Sequence, residues 1–217
     1  PGHPKGNFKM KTRRDILVSS AAFLAIPGIL RAQESAEPLR LEINGEGEAA
    51  EQPIVPPSND PLAPTLVTVQ PGIPAGEIHV DPNRFRLYWT LPEGQAIRYA
   101  VGIGRRGLYE SGTFRVGAKR EWPSWTPTPE MIERDPASYE RFADGMPGGP
   151  NNPLGARALY LYEGNRDTYL RIHGTNAPST IGTAVSNGCA RLTNEYIVDL
   201  YNRVPLNARV ILHTRFT

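Results

Sequence analysis

Apolar and polar positions begin to alternate at Glu77. Short runs at Glu77–Val80, Phe85–Thr90 and Ile97–Ile103 are separated by Asp81-Pro82-Asn83 and Pro92-Glu93-Gly94, a pattern that predicts strands joined by turns. Leu108–Val116 reads as another strand with a turn. Arg157–Tyr162 and Thr168–His173 read as a hairpin around Glu163–Asp167, and Ala208–His213 as a closing strand with Val210 and Leu212 on one face. Helical spacing appears twice. Thr128 followed by Pro129 opens a stretch through Met131, Ile132 and Arg134 that resumes near Ala137–Phe142. Ile197, Leu200, Tyr201 and Val204 then follow the i, i+3, i+4, i+7 rule, with Thr193 or Asn194 as cap and Pro205 as stop.

The pattern is absent before residue 76. Eight of the 22 prolines fall between Gln33 and Pro74, among glutamates and few aromatics, so this stretch (33–75) is expected to be disordered. It would serve as a polyproline-like spacer or as a merely tolerated linker. Residues 10–32 have a basic start and an apolar run from Ile16 to Leu30, the layout of a signal peptide. Arg13-Arg14 after Thr12 is similar to a twin-arginine export signal, with cleavage expected near Ala32. The alternative, an uncleaved membrane anchor, is weakened by Pro27 and Gly28 and by a run short of the ~20 residues a bilayer needs. Residues 1–9 carry no structural signal.

Composition narrows the function. With 217 residues, 39% of them hydrophobic, the chain can pack a core, and a net charge of +2 without a basic block gives no footprint for nucleic acid. One cysteine allows no intramolecular disulfide, so Cys189 stays a free thiol even in an oxidising compartment. A buried structural cysteine sits among Val, Ile and Leu, whereas Cys189 follows Ser186-Asn187-Gly188 and precedes Arg191. His173 lies sixteen positions upstream. An imidazole that accepts the thiol proton makes the sulfur a competent nucleophile. Gly188 lets the backbone N–H groups of Asn187, Gly188 and Cys189 turn toward one point as oxyanion donors. The carbonyl of Gly174 can accept the Nδ1 proton of His173 and fix its tautomer. Ser186 braces the loop, and Arg191 offers a fork for a substrate carboxylate.

The stretch from His173 to Leu192, with His173-Gly174-Thr175-Asn176, Ile181-Gly182 and Ser186-x-Gly188-Cys189-x-Arg191-Leu192, resembles the L,D-transpeptidase (YkuD-type) family. The likeness extends more loosely over residues 76–217, and the Trp-x-x-Trp-x-Pro-Thr-Pro and Asn151–Ala156 stretches resemble proteobacterial, periplasmic members. It implies a mainly β, sandwich-like catalytic domain with two short helical segments. It also implies cross-linking of peptidoglycan stem tetrapeptides through a Cys189 thioester, acylation by carbapenems, and substrate contacts from Thr175, Asn176 and Arg191. Carboxypeptidation, D-amino-acid exchange and wall-protein attachment would use the same thioester. A wall-binding module without catalysis is the non-enzymatic alternative, motivated only by Asn187. Many relatives carry histidine there, and the expectation is that the position contributes its backbone N–H.

Other features have plainer readings. Gly102-Ile103-Gly104-Arg105-Arg106-Gly107 matches a dinucleotide fingerprint in letters, but a strand rather than a helix follows. Trp122 and Trp125 are expected in the core rather than stacked on substrate. The loop Asp144–Pro153 is expected beside the site. His79 and His213 have no metal-ligand partners by spacing, so no metal or other cofactor is expected, and the chain is expected to act as a monomer.

Overall fold

The computed structural model describes residues 54–215; the leader at 10–32, residues 1–9 and the linker up to residue 53 lie outside the described residues. The fold is mostly β, with eleven strands: β1 (Thr65–Thr68), β2 (Glu77–Asp81), β3 (Arg86–Leu91), β4 (Gln95–Ala100), β5 (Ile103–Gly104), β6 (Gly112–Glu121), β7 (Arg157–Glu163), β8 (Arg166–His173), β9 (Ala184–Ser186), β10 (Ala190–Arg191) and β11 (Arg209–Leu212). Three short helices join them, α1 (Pro129–Arg134), α2 (Pro136–Tyr139) and α3 (Asn194–Arg203).

Nine strands form one sheet in the order β1-β4-β3-β2-β11-β6-β7-β8-β10, and β5 pairs with β9 in a small parallel sheet. Just past β4, Gly102 exchanges both backbone hydrogen bonds with Arg191, at 2.9 and 2.8 Å. This links the chain beyond β4 to the far end of the sheet order, so the sheet curls around its core. Alternating positions fill that core, including Ile78, Val80, Leu87, Leu159, Leu161, Ile172 and Val210, all at most 1% exposed. Helix α3 covers it with most of the predicted stripe: Ile197, Leu200 and Val204 are buried, Tyr196 joins them where Tyr201 stays half-buried, and Thr193 caps the first turn. At the bulge in β6, Gly117 lies under Tyr162, where a Cβ would meet the ring at 2.3 Å.

The end of the segment read as disordered is ordered. Thr65–Thr68 pairs antiparallel with β4, from Thr65↔Arg98 to Thr68↔Gln95. Val55, Leu62 and Ala63 pack against the core, and the Tyr196 hydroxyl donates to the Asp60 carboxylate. A composition averaged over forty residues masks a four-residue β-branched strand. A chain beginning at Gly76 is therefore expected to be less stable to urea than one beginning at Ile54, by at least ~2 kcal/mol for the apolar area lost. Equal midpoints and slopes would show that β1 and the Asp60 turn contribute nothing.

Candidate active site

The parallel pairing of β8 with β10 sets the site. Its register aligns Ala190 with Ile172 and Arg191 with His173. Successive strand residues point to opposite faces, so Leu170, Ile172, Ala190 and Leu192 go into the core, at most 5% exposed, while Arg171, His173, Cys189 and Arg191 face the other way. These four line one cavity of about 550 Å³, whose further walls come from α1, α2 and the stretches around Leu108 and Leu154.

His173 is 4% exposed, and its Nδ1 lies 2.6 Å from the Gly174 carbonyl oxygen. With the Nδ1 proton donated to that oxygen, Nε2 is left as the basic nitrogen. The His173-Gly174 turn is held by a residue whose role the sequence did not disclose. Asn194, at the start of α3, accepts through Oδ1 from the backbone N–H groups of Ala156 (2.9 Å) and Thr175 (3.2 Å). A Cβ at Gly174 would fall 2.3 Å from that oxygen and one at Gly155 2.2 Å, so both positions need glycine. Thr193 takes the capping role, which leaves Asn194 free for this one.

The loop carrying Cys189 is braced from inside. Ser186 Oγ donates to the Cys189 carbonyl at 2.6 Å and accepts from the Gly188 N–H at 3.3 Å. Gly188 therefore spends its N–H on Ser186, and among the described residues only Asn187 and Cys189 keep backbone donors of this loop without a partner. The expected three-donor oxyanion site is reduced to two. Gly188 has φ +124°, and a Cβ there would meet the Leu108 carbonyl at 3.0 Å. The glycine-rich stretch read as a plain loop is its support. A Cβ at Gly104 would sit 2.9 Å from Gly188 Cα, and the Arg105 N–H donates to the Ser186 carbonyl at 3.0 Å.

The Asn187 amide is held by three neighbours. Its Oδ1 accepts from Arg134 at 2.8 Å and Arg105 at 3.1 Å, and its Nδ2 donates to the Tyr139 hydroxyl at 2.9 Å. Arg191 is the converse: its Nε and Nη2 are buried without a hydrogen-bond partner. A buried guanidinium left in that state is stabilised by an incoming anion.

Thr175 and Asn176, assigned to substrate by the resemblance, do not line the cavity. The Thr175 hydroxyl accepts from the Ala177 N–H at 3.0 Å, and Asn176 Nδ2 donates to the Asn151 carbonyl at 2.8 Å. Both fasten the turn after His173. The two tryptophans lie outside the core. Trp125 lines the cavity against Tyr139 and Phe142, and Trp122 is 44% exposed. From the loop Asp144–Pro153 only its end, Pro153 with the following Leu154, reaches the cavity. His79 and His213 stack on each other, Nδ1 to Nε2 at 3.0 Å, and among the described residues no group of three or more His, Cys, Asp or Glu could hold a metal ion.

Electrostatics define the resting state. Burial lowers the His173 pKa to about 4; hydrogen bonding to the Gly174 carbonyl opposes the shift and the Arg191 charge reinforces it. Burial pushes the Cys189 thiol up, against the backbone N–H of Arg171 and the charges of Arg171 and Arg191. Thiol and imidazole are therefore both neutral at pH 7. The sulfur lies 3.9 Å from the Tyr169 carbonyl, at a bulge in β8 where Tyr169 has φ +62°. Asp167 stabilises the bulge, accepting from the Tyr169 N–H at 2.8 Å and from both ends of the Arg171 fork.

A cysteine and a carbonyl-oriented histidine that line one cavity with a partly unpartnered arginine define a thiol-dependent acyl-transfer site on a mostly β domain. Residues 75–212 match the family model YkuD, L,D-transpeptidase catalytic domain, and the chain belongs to that family. It is 39% identical over 137 residues to "Probable L,D-transpeptidase YbiS" of Escherichia coli strain K12, covering 61% of this chain and 43% of that protein. The chain thus spans less than half the length of this relative. A crystal structure of a mutant Enterococcus faecium L,D-transpeptidase shares the fold, at TM-score 0.50 and 16% identity over 65% of this chain and 50% of that one. A Brucella melitensis structure described as a probable carnitine operon oxidoreductase is 51% identical, over 71% of this chain and 91% of that one. The TM-score of that match is 0.48.

The neutral, buried imidazole has a thermodynamic consequence. An unfolded histidine titrates near 6.5 and the folded one near 4, so the unfolded state binds the extra proton between those values. Stability present above pH 6.5 is lost as pH falls toward 4. His173→Asn is expected to remove about 3 kcal/mol of that pH dependence. Parallel stability–pH curves for the two proteins, from urea melts between pH 4 and 7.5, would contradict this.

Proposed function

We propose that this chain is an L,D-transpeptidase acting on peptidoglycan stem tetrapeptides through a thioester at Cys189. One observation carries the reading: a tautomer-fixed His173, Cys189 and the anion-ready Arg191 share one cavity. As sulfur attacks the amide carbonyl that follows the L-centre, the thiol proton passes to His173 Nε2. The oxyanion meets the Asn187 and Cys189 backbone N–H groups. Collapse of the tetrahedral intermediate breaks the amide, and His173 returns the proton to the departing D-amino acid. An acceptor amine then attacks the thioester, His173 takes its proton, and the thiol re-forms with a new amide. Because the pair starts neutral, proton transfer accompanies attack. Arg191 holds the donor's carboxylate as a fork.

Carbapenem acylation of Cys189 belongs to the same reading and rests on membership of the family. Export through the Arg13-Arg14 signal to the periplasm, with a role in wall organisation and cell shape, is supported by the leader's layout and the wall substrate.

The test is incubation with disaccharide-tetrapeptide, read by mass spectrometry. Wild type is expected to release the terminal D-residue and form an L,D-linked dimer, and Cys189→Ala to form neither product. Dimer formation by Cys189→Ala would refute the assignment, and tripeptide alone would redirect it to carboxypeptidation. Arg191→Lys is expected to raise KM for the donor about tenfold, since the charge stays and the fork is lost. A fall in kcat at unchanged KM would remove Arg191 from donor binding.

A further inference from the structure

The Asn187 amide gathers three partners from two separate parts of the fold. Arg105 follows β5, on one side of the nucleophile loop. Arg134 and Tyr139 come from the helical insertion formed by α1 and α2, on the other side, where both also line the cavity. We propose that Asn187 is a clamp through which β5 and the helical insertion hold the nucleophile loop, which makes Arg105, Arg134 and Tyr139 positioning residues for Cys189.

The chemistry of the amide fits this role. A carboxamide oxygen has two lone pairs and here accepts from two guanidinium groups, while the nitrogen donates one hydrogen to the Tyr139 hydroxyl. A histidine in this place could not do the same. A neutral imidazole has one acceptor nitrogen, and a protonated one would face two guanidinium groups with none. The two arginines thus account for asparagine at a position where the resemblance leads one to expect histidine.

The mechanical consequence follows from Gly188. Its φ of +124° makes it the pivot of the loop, with Ser186 bonded to the Cys189 carbonyl on one side and the Asn187 clamp on the other. With both in place, the backbone N–H groups of Asn187 and Cys189 keep a fixed aim, and the cavity wall carried by α1 and α2 is tied to the sulfur. Catalytic effects of the clamp rest on the transpeptidase reading; the clamp itself does not.

The experiment combines backbone 15N relaxation of Asn187–Cys189 in the full chain with Cys189 acylation by a carbapenem. The variants are Arg134→Ala, Asn187→Ala, their double variant, Arg134→Lys and Tyr139→Phe. Each single alanine variant is expected to lower the loop order parameters from the rigid ~0.85 toward ~0.6. Each is expected to slow acylation on the order of tenfold, and the double variant no more than either single. Arg134→Lys, which can keep one bond to Oδ1, should recover part of both losses. Unchanged order parameters in Arg134→Ala, or losses that multiply in the double variant, would overturn the clamp. If Asn187→Ala does not fold, Arg134→Ala with Tyr139→Phe forms the same cycle on the helical insertion. A wild-type chain that is never acylated would remove the transpeptidase reading, while the order parameters would still decide the clamp.

Discussion

The hydrogen bond from His173 Nδ1 to the Gly174 carbonyl, at 2.6 Å, is the interaction on which the site depends. It requires the peptide of Gly174 to turn back over the ring preceding it. That turn is possible because Asn194 places its Oδ1 where a side chain of residue 174 would stand, and because Gly155 yields the same space. A neutral carbonyl orients the imidazole but does not neutralise an imidazolium as a carboxylate would. In a buried position beside arginines, the ring accordingly stays unprotonated to about pH 4. Thiol and imidazole both start neutral, and the imidazole keeps a free lone pair across the physiological range.

Positive charge supplies the balance. Of the arginines lining the cavity, Arg171 is held by Asp167, and Arg134 shares Asn187 with Arg105 from outside it. Arg191 is left unsatisfied. The charges of Arg171 and Arg191 oppose the upward push that burial exerts on the thiol and favour the anions of the proposed cycle, thiolate, oxyanion and substrate carboxylate, at the stage where each appears.

The sequence disclosed what depends on local order. Alternation located β8, which carries His173, the helical stripe located α3, and the spacing of His173-Gly174 and Ser186–Arg191 located the nucleophile loop but not its short strands β9 and β10. Side-chain direction was less accessible. Thr175 and Asn176 belong to the motif but bond to the Ala177 N–H and the Asn151 carbonyl, and Trp125 leaves the core to line the cavity. Contacts between distant segments were invisible for a physical reason: Asn194 on Gly174, Gly104 on Gly188 and Arg134 on Asn187 arise only after the sheet curls. Strand β1 failed to register because four residues cannot outweigh the prolines around them.

The account stands on a neutral His173 that carries its proton on Nδ1. Long-range 1H–15N correlation spectra of the imidazole nitrogens, followed from pH 7.5 to 3.5 in the substrate-free protein, test this directly. The expected spectrum shows a protonated Nδ1 and an unprotonated Nε2 at pH 7, titrating near pH 4 and well below the usual 6.5. A proton on Nε2, or an imidazolium at pH 7 paired with a Cys189 thiolate, would contradict the carbonyl-oriented neutral pair.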